Sequence, residues 1–274
     1  MMNSLSLHPP ASSAWLPGRR LAWTLTDSFA IARRILVRIV RSPEELATAT
    51  STPIIFVLLF RYVFGGAINV GHTGYANYLM AGIFVQTVAI TSLGAGTGVA
   101  QDLHSGLIDR FRSLPIARSA VITGRVVATL VRNLFTLGIV AAVGVVVGFR
   151  PEGGPAAWAA ALGLLLLFGF AISWVGVAVG LLVRNLEAVQ NVTMTLVFPL
   201  TFLSSAFVPT QTMPGLLRIF VAHQPMTQVV DAVRALVLAY PVGPGAWLAA
   251  AWSLAIVAVF APIAVYAYGR ATTR

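Results

Sequence analysis

The 274-residue sequence has no cysteine and no lysine, and only eight of its residues are acidic. The absence of cysteine excludes disulfides, thiolate nucleophiles, iron–sulfur clusters and thiolate zinc sites. The absence of lysine excludes a P-loop, because that motif needs its lysine to reach the nucleotide phosphates. The chain therefore does not bind ATP through a P-loop.

Hydrophobic residues dominate the composition, at 58% of the chain against 9% charged residues, and the mean hydropathy is +0.86. This is typical of an integral membrane protein. A spanning helix takes about 20 apolar residues. The runs without Asp, Glu or Arg (62–101, 133–149, 153–183, 188–217 and 235–269) predict an all-α membrane protein. The six predicted spans are about 47–64, 78–100, 121–149, 157–182, 188–207 and 246–268.

All 18 basic residues are arginine, and they lie in short segments between the apolar runs. This distribution is typical of topology signals and lipid headgroup contacts, and it argues against a nucleic-acid partner. Arg61 and Arg132 fall within spans, Arg150, Arg218 and Arg234 on one side, and the other thirteen on the side of the amino terminus. The positive-inside rule predicts a multi-pass membrane protein with both termini in the cytoplasm.

The segment before the first span has two parts. Residues 1–20 are rich in serine and proline and are interpreted as a disordered cytoplasmic tail. Over residues 21–42 apolar side chains recur at helical spacing, while Arg34, Arg38 and Arg41 lie on the opposite side. This predicts an amphipathic helix in the membrane interface. A soluble helix packed on another part of the chain is the alternative.

Residues 208–245 do not fit a simple spanning scheme. They contain five prolines, which break a single helix, but they are too apolar for a loop in water. Two short helices that dip into the outer leaflet and turn at His223-Gln224-Pro225 satisfy both observations. The sequence thus predicts an extracellular re-entrant helical hairpin before the last span, in which Asp231 and Arg234 can form a local ion pair.

The segment 102–115 between the second and third spans carries an apolar stripe. Leu103, Leu107, Phe111 and Leu114 are spaced as one face of a short helix that Pro115 helps to end. Such a helix can insert its stripe into a partner's groove. An amphipathic loop that lies on the membrane surface fits the same pattern equally well.

Polar side chains within the spans are the candidates for a substrate path. They are interspersed with phenylalanines, and they could line an amphipathic route or form interhelical hydrogen bonds. The eight acids lie near span ends or outside them, which argues against proton coupling, and four scattered histidines without cysteine argue against a metal site. Arg61 and Arg132 could contact an anion or could snorkel to the headgroups. The candidate path residues are Phe84, Gln86, Thr87, Thr91, Gln190, Thr193, Phe198, Thr201 and Phe202.

One block of the sequence resembles a known family. The run Gly106-Leu-Ile-Asp-Arg-Phe-Arg-Ser-Leu-Pro115 with Gly124-Arg125 resembles the inner loop of permeases of the type-2 ATP-binding-cassette exporters, in particular the daunorubicin and doxorubicin resistance type. Further similar segments are Tyr62-Val-Phe-Gly-Gly66, Tyr78-Leu-Met-Ala-Gly82 and the stretch from Phe198 to Pro209.

The resemblance implies a half-transporter without a catalytic site or cofactor of its own. Two permease chains, identical or sibling, would work in the bilayer of the bacterial plasma membrane with two separate ATPase subunits that bind ATP and Mg. The interfacial helix and a coupling helix would contact the ATPase. The implied coupling residues are Asp102, Leu103, Gly106, Leu107, Ile108, Asp109, Arg110, Phe111, Arg112, Leu114 and Pro115.

The expected function is ATP-driven export of hydrophobic or amphipathic compounds such as drugs or lipid-like natural products. The lack of embedded charge favours such a cargo over a highly charged one. Export of a polysaccharide or glycolipid by the same superfamily, and a non-transporting membrane scaffold, are the alternatives. The sequence does not identify the exported compound, the second permease or the resting conformation.

Overall fold

The computed structural model describes residues 43–68, 70, 74–104, 118–183 and 185–271. Every regular element in these ranges is helical, which confirms the predicted all-α class. A π-helical turn, Leu59–Phe64, extends the first helix, and a 3-10 turn, Thr210–Thr212, precedes the sixth. The α-helices are α1 (Pro43–Leu58), α2 (Tyr75–His104), α3 (Arg118–Val147), α4 (Pro155–Leu182), α5 (Leu186–Phe202), α6 (Gly215–His223), α7 (Pro225–Val237) and α8 (Gly245–Ala271).

Several sequence predictions fall on residues outside these ranges. They are the cytoplasmic tail 1–20, the interfacial helix 21–42 with Arg34, Arg38 and Arg41, and the loop 105–117 that holds most of the coupling segment. These three stay predictions.

Helical segments long and apolar enough to cross a bilayer number five in the described part of the chain. They overlap the predicted first, second, third, fourth and sixth spans, and they are Ala47–Phe64, Tyr75–Asp102, Ile122–Val147, Pro155–Leu182 and Gly245–Arg270. The helix at the predicted fifth span, α5, has 17 residues and is not among the five. The count of six spans therefore stays a prediction.

Helix α5 ends five residues before the boundary predicted for its span, at Phe202 instead of residue 207. Pro199 lies in its last turn and has no N–H to continue the hydrogen-bond ladder. Leu203 leaves the helical conformation, with φ −86° and ψ 38°. Residues 203–207 then form a buried turn in which Ser204 donates a hydrogen bond to the Thr201 carbonyl.

Helix α2 lies at the centre of the bundle, with 89% of its apolar membrane-spanning segment buried. It packs against α1, α3, α4, α5 and α7. The sequence predicts that its small residues allow close helix contact, and this is confirmed at two positions. A Cβ at Gly96 would overlap the backbone of Gly176 in α4, and a Cβ at Gly82 would overlap the backbone of Ala206.

Helices α6 and α7 form a hairpin that turns at Gln224. This is the middle residue of the predicted turn, His223-Gln224-Pro225. Helix α7 is buried against α2, α4 and α8, whereas α6 exposes its apolar side chains, with Leu216 87% exposed. The turn between α3 and α4 is fixed to this hairpin, because the backbone N–H groups of Glu152 and Gly153 donate to the Val237 carbonyl at 3.1 and 2.9 Å. How deeply the hairpin enters a bilayer stays a prediction.

The bundle has two ends. The hairpin, the start of α2 and the ends of α3 and α5 lie at one end, called here the hairpin end. The end of α2, the start of α3 and the start of α5 lie at the other, called here the loop end because residues 105–117 connect α2 and α3 there.

Candidate functional site

At the loop end an ion pair joins the two helices that flank residues 105–117. Arg125 of α3 donates through Nη2 to Oδ2 of Asp102 in α2, and both side chains are 22% exposed. The guanidinium of Arg125 lies against Gly98, where a Cβ would overlap it. The close approach that Gly98 allows therefore places a cation across the last turns of α2 and joins the end of α2 to α3.

Asp102 is the one predicted coupling residue whose side chain the structure describes. Its carboxylate forms an ion pair with Arg125 inside the chain, and its contact with an ATPase stays a prediction. The backbone of Leu103 belongs to the last turn of α2. The remaining coupling residues lie outside the described residues: Gly106, Leu107, Ile108, Asp109, Arg110, Phe111, Arg112, Leu114 and Pro115.

A polar cavity of about 100 Å³ lies between α1, α2 and α3. Its wall includes Thr48, Gln86, Thr91 and Arg132, and it is called here the polar niche. The amide of Gln86 is 3% exposed, and its Nε2 has no hydrogen-bond partner in the described ranges. Arg132 also lines a neighbouring cavity of about 60 Å³. The polar niche is thus bordered by the Gln86 amide, whose nitrogen has no hydrogen-bond partner in the described ranges, and by the guanidinium of Arg132.

Three of the predicted path residues donate their side-chain hydrogen bonds to backbone carbonyls of their own helices. The hydroxyls of Thr87, Thr193 and Thr201 donate to the carbonyls four residues earlier at 2.6, 2.8 and 2.7 Å. The ring of Phe84 packs edge-on against Phe149 and Trp158 with centroids 6.1 and 6.3 Å away. These four residues stabilise the bundle, and a direct contact between them and cargo stays a prediction.

Helices α1 and α5, which are in contact through the rings of Phe56 and Phe198, each expose polar side chains. Thr48, Ser51 and Thr52 of α1 and Gln190, Asn191 and Thr195 of α5 are exposed in the described chain, and they are called here the α1/α5 face. Five of the six lie in the half nearer the loop end when the π-helical turn is counted with α1, and Thr195 lies just past the middle of α5. An amide exposed to hydrocarbon is costly. This surface is therefore better suited to a protein partner or a water-filled path than to lipid.

Toward the hairpin end the same two helices are joined by aromatic rings. The six residues form one contact network with centroid distances of 4.2–6.4 Å. Sequence reasoning identified two of them, Phe198 and Phe202, and missed the others. The four-residue spacing of the three rings in α1 and its π-helical turn is the signal that could have found them. This phenylalanine cluster comprises Phe56, Phe60, Phe64, Phe198, Phe202 and Phe207.

A second network fixes the hairpin to α2. Arg234 donates to Asp231 Oδ1 at 2.7 Å, to the Ser205 carbonyl at 2.7 Å and to the Tyr78 carbonyl at 3.2 Å. Its guanidinium carbon also lies 3.8 Å from the centroid of the Tyr78 ring. The predicted ion pair between Asp231 and Arg234 is confirmed. Sequence reasoning missed the contacts of Arg234 with α2 and with the turn after α5. The network of Arg234, Asp231, Tyr78 and Ser205 is called here the hairpin clasp, and it joins the hairpin to the rest of the bundle.

The Tyr78 hydroxyl and the Ser205 side chain complete the hairpin clasp. Tyr78 donates to the Ser205 carbonyl at 2.9 Å, and the Ser205 hydroxyl donates to Asp231 Oδ1 at 2.6 Å. Arg61, which the sequence analysis named as a possible anion contact within a span, donates to the Val147 carbonyl at 3.5 Å. That contact anchors Arg61 to the last turn of α3 and favours a structural role.

Gln224 ties the hairpin turn to the end of α5. Its Nε2 donates to the carbonyls of Leu200 and Leu203, the first at 3.2 Å, and to the Thr227 hydroxyl at 3.3 Å. These carbonyls lie in and just after the last turn of a helix, where no further helical N–H is available. Gln224 therefore stabilises the carboxyl-terminal end of α5.

Comparison with known proteins gives one family and several relatives. Residues 26–238 match the ABC-2 type transporter family. The chain is 34% identical over 229 residues to the daunorubicin resistance ABC transporter permease protein DrrB1 of Streptomyces coeruleorubidus, which covers 82% of this chain and 80% of that protein. It is 29% identical over 233 residues to the doxorubicin resistance ABC transporter permease protein DrrB of Mycobacterium tuberculosis, covering 82% and 80%.

The family match covers more than half of the chain and includes all the helices from α1 to α7. It includes the loop 105–117 and the hairpin. The first of the relatives exceeds 30% identity over most of both chains. Together with the apolar helices of the bundle, these findings show that the chain is a multi-pass membrane protein and belongs to the ABC-2 type transporter family.

Proposed function

We propose that the chain is the membrane-spanning permease subunit of an ATP-binding-cassette exporter that moves hydrophobic or amphipathic compounds out of the cell. The relatives are named as permeases of daunorubicin and doxorubicin resistance, which supports a drug-like or lipid-like cargo. The observation that carries the proposal is the α1/α5 face, which is polar toward the loop end and aromatic toward the hairpin end.

The cargo path lies along the α1/α5 face, where a second permease, identical or sibling, supplies the opposite wall. Thr48 and Gln190 give this surface hydrogen-bonding groups near the loop end, and the phenylalanine cluster narrows it toward the hairpin end. An amphipathic compound can exchange water for these groups as it enters and can contact rings farther along. The polar niche, with Gln86 and Arg132, opens beside this route.

The energy comes from two separate ATPase subunits that bind ATP and Mg. The loop end faces the cytoplasm, and residues 102–115 form the coupling helix that contacts the ATPase. The ion pair between Asp102 and Arg125 fixes the base of that segment to α2 and α3. Movement of the ATPase can therefore be passed to two spanning helices at once.

Reconstitution with the partner ATPase tests the function. We expect proteoliposomes that hold both subunits to move daunorubicin in an ATP-dependent manner, measured by drug fluorescence, and to show drug-stimulated ATP hydrolysis. A hydrolysis-deficient ATPase is the control. A complex that hydrolyses ATP in response to a polysaccharide or glycolipid but not to amphipathic drugs would contradict the proposed cargo. A chain that assembles with no ATPase would contradict the transport function itself.

Replacing Gln86 with leucine should separate cargo contact from folding. Its Nε2 has no partner in the described ranges, so an apolar isostere should leave the thermal unfolding midpoint nearly unchanged. Loss of a hydrogen bond to cargo in the polar niche should raise the KM for drug transport by about tenfold, which corresponds to about 1.4 kcal/mol.

Thr136→Val is the matched control for this substitution. Thr136 is fully buried in α3, and its hydroxyl also has no partner within the described residues, but it does not line the polar niche. We expect it to leave both stability and KM unchanged. Equal transport by wild type and Gln86→Leu would remove the polar niche from the path.

A further inference from the structure

An apolar cavity of about 250 Å³ shares no lining residue with the α1/α5 face. Its wall comes from α2, α4, α5, α7 and α8, and includes Leu93, Phe168, Leu196, Leu200 and Phe260. Gln224 at the hairpin turn also borders it, but the Gln224 amide nitrogen donates to the backbone carbonyls of Leu200 and Leu203. The cavity thus offers an apolar interior in the hairpin half of the bundle.

The cavity is continuous with the outer surface of the bundle between α5 and α8. Leu196 and Leu200 on its α5 side are 41% and 40% exposed, and Ile256 and Phe260 on its α8 side are partly exposed. Helix α8 is apolar enough to span a bilayer, and only 17% of its apolar membrane-spanning segment is buried. The mouth of the cavity therefore opens on a surface that faces membrane hydrocarbon.

The chemistry of the wall selects the occupant. A buried water needs two to four polar partners, whereas an apolar cavity of about 150 Å³ stays dry and binds a molecule such as benzene. Apart from Gln224 Oε1, which has no hydrogen-bond partner among the described residues, the wall is apolar, so the polar groups of an amphipathic drug would lose hydrogen bonds to water with little replacement here. A hydrocarbon chain loses no such bonds, and it is the abundant apolar group at this opening.

We propose that this cavity binds one acyl chain of a membrane phospholipid, which braces the joint between α5 and the hairpin. Pro225 and Met226 at the start of α7 contribute to the wall beside Leu200, next to the hydrogen bonds with which Gln224 holds the end of α5. An acyl chain in this space supplies packing contacts to both sides of that joint. The lipid is a structural ligand and is distinct from the cargo.

Photo-crosslinking of the full-length chain in nanodiscs tests this site. The probe is phosphatidylcholine with a diazirine on one acyl chain, and adducts are mapped by mass spectrometry. We expect adducts at Leu196, Leu200, Ile256 and Phe260 to exceed those at the lipid-facing Leu254 by about fivefold, because a bound chain is held beside these residues. Even labelling of all exposed surfaces would overturn the proposal.

Two variants that fill the cavity from different sides make the test specific. Ala89→Phe fills it from the α2 wall, and Leu200→Trp closes its mouth from an exposed position that tolerates size. Both should lower the cavity adducts about fivefold. Leu254→Phe, at a residue 57% exposed on α8, is the matched control and should not lower them.

The same experiment separates lipid from cargo. Excess daunorubicin should leave the adducts unchanged, because the drug follows a different surface. Loss of the adducts on addition of drug would show that cargo occupies the cavity, and would overturn the proposal. Should Ala89→Phe fail to fold, the result for Leu200→Trp decides: undiminished adducts there would also overturn it.

Discussion

The double substitution Leu107→Asp and Phe111→Asp is expected to abolish ATP-driven transport and to release the ATPase, while the permease stays folded. Both residues belong to the apolar stripe predicted for the coupling segment. Full burial of such a side chain stabilises a contact by about 1.5–3 kcal/mol, so losing two should weaken ATPase binding by at least about a hundredfold. Buried aspartates would weaken it further.

The measurement is co-purification of the ATPase with the tagged permease, together with transport in vesicles. Leu107→Met with Phe111→Leu is the matched control, because it keeps an apolar stripe of similar volume and should retain both activities. Circular dichroism of the aspartate variant in detergent should show the helix content of wild type. Co-purification that survives the aspartates would exclude this stripe as the contact.

Arg234→Gln is expected to have the second-largest effect, on stability at the hairpin end. The change removes the charge-assisted hydrogen bonds from Arg234 to the carbonyls of Tyr78 and Ser205 and leaves Asp231 without its cation. Hydrogen bonds to charged groups contribute about 1.5–3 kcal/mol each. Because Asp231 is about half exposed, we expect a net loss of about 2–4 kcal/mol in the free energy of unfolding.

Thermal unfolding of the purified protein measures this loss. Arg218→Gln, at an exposed arginine of α6, is the charge-matched control and should leave the midpoint unchanged. Arg234→Lys should give an intermediate midpoint, because lysine keeps the charge but lacks the planar fork that reaches three acceptors. Equal midpoints for wild type and Arg234→Gln would show that the hairpin clasp is not a stabilising joint.

The hairpin illustrates what could be predicted from the sequence. Prolines and apolar periodicity predicted two short helices that turn near Gln224, and both helices are present. Local signals sufficed because Pro225 begins one helix and cannot continue the other. The ion pair between Asp231 and Arg234 was likewise predictable from a spacing of one helical turn.

The contacts of the hairpin with α2 and α5 could not be predicted in the same way. Arg234 bonds to Tyr78, 156 positions away in the chain, and Gln224 bonds to Leu200 in another helix. Such pairs depend on how helices cross, and one sequence does not specify this. The predicted fifth span continues past the end of helix α5, because Leu203 leaves the helical conformation while the apolar run goes on.

The candidate path shows the same division. Composition identified polar residues in the spans, but their use depends on helix orientation. Thr193 donates to its own helix, whereas Gln190, three residues earlier, is exposed on the α1/α5 face. The phenylalanine cluster combines rings from distant parts of the chain, and the sequence analysis identified only Phe198 and Phe202, which both lie in α5. The periodicity of the sequence predicts which residues share a helix face, whereas the packing of the helices determines what that face contacts.

The account of function depends most on where residues 102–115 lie and what they contact. Because the chain has no cysteine, Leu107→Cys creates a unique thiol whose surroundings can be mapped in intact cells. We predict that this thiol is protected from an external membrane-impermeant maleimide and that a short bifunctional crosslinker joins it to the ATPase subunit. Labelling from outside the cell, or a thiol accessible from the cytoplasm that never crosslinks to the ATPase, would contradict the central claim.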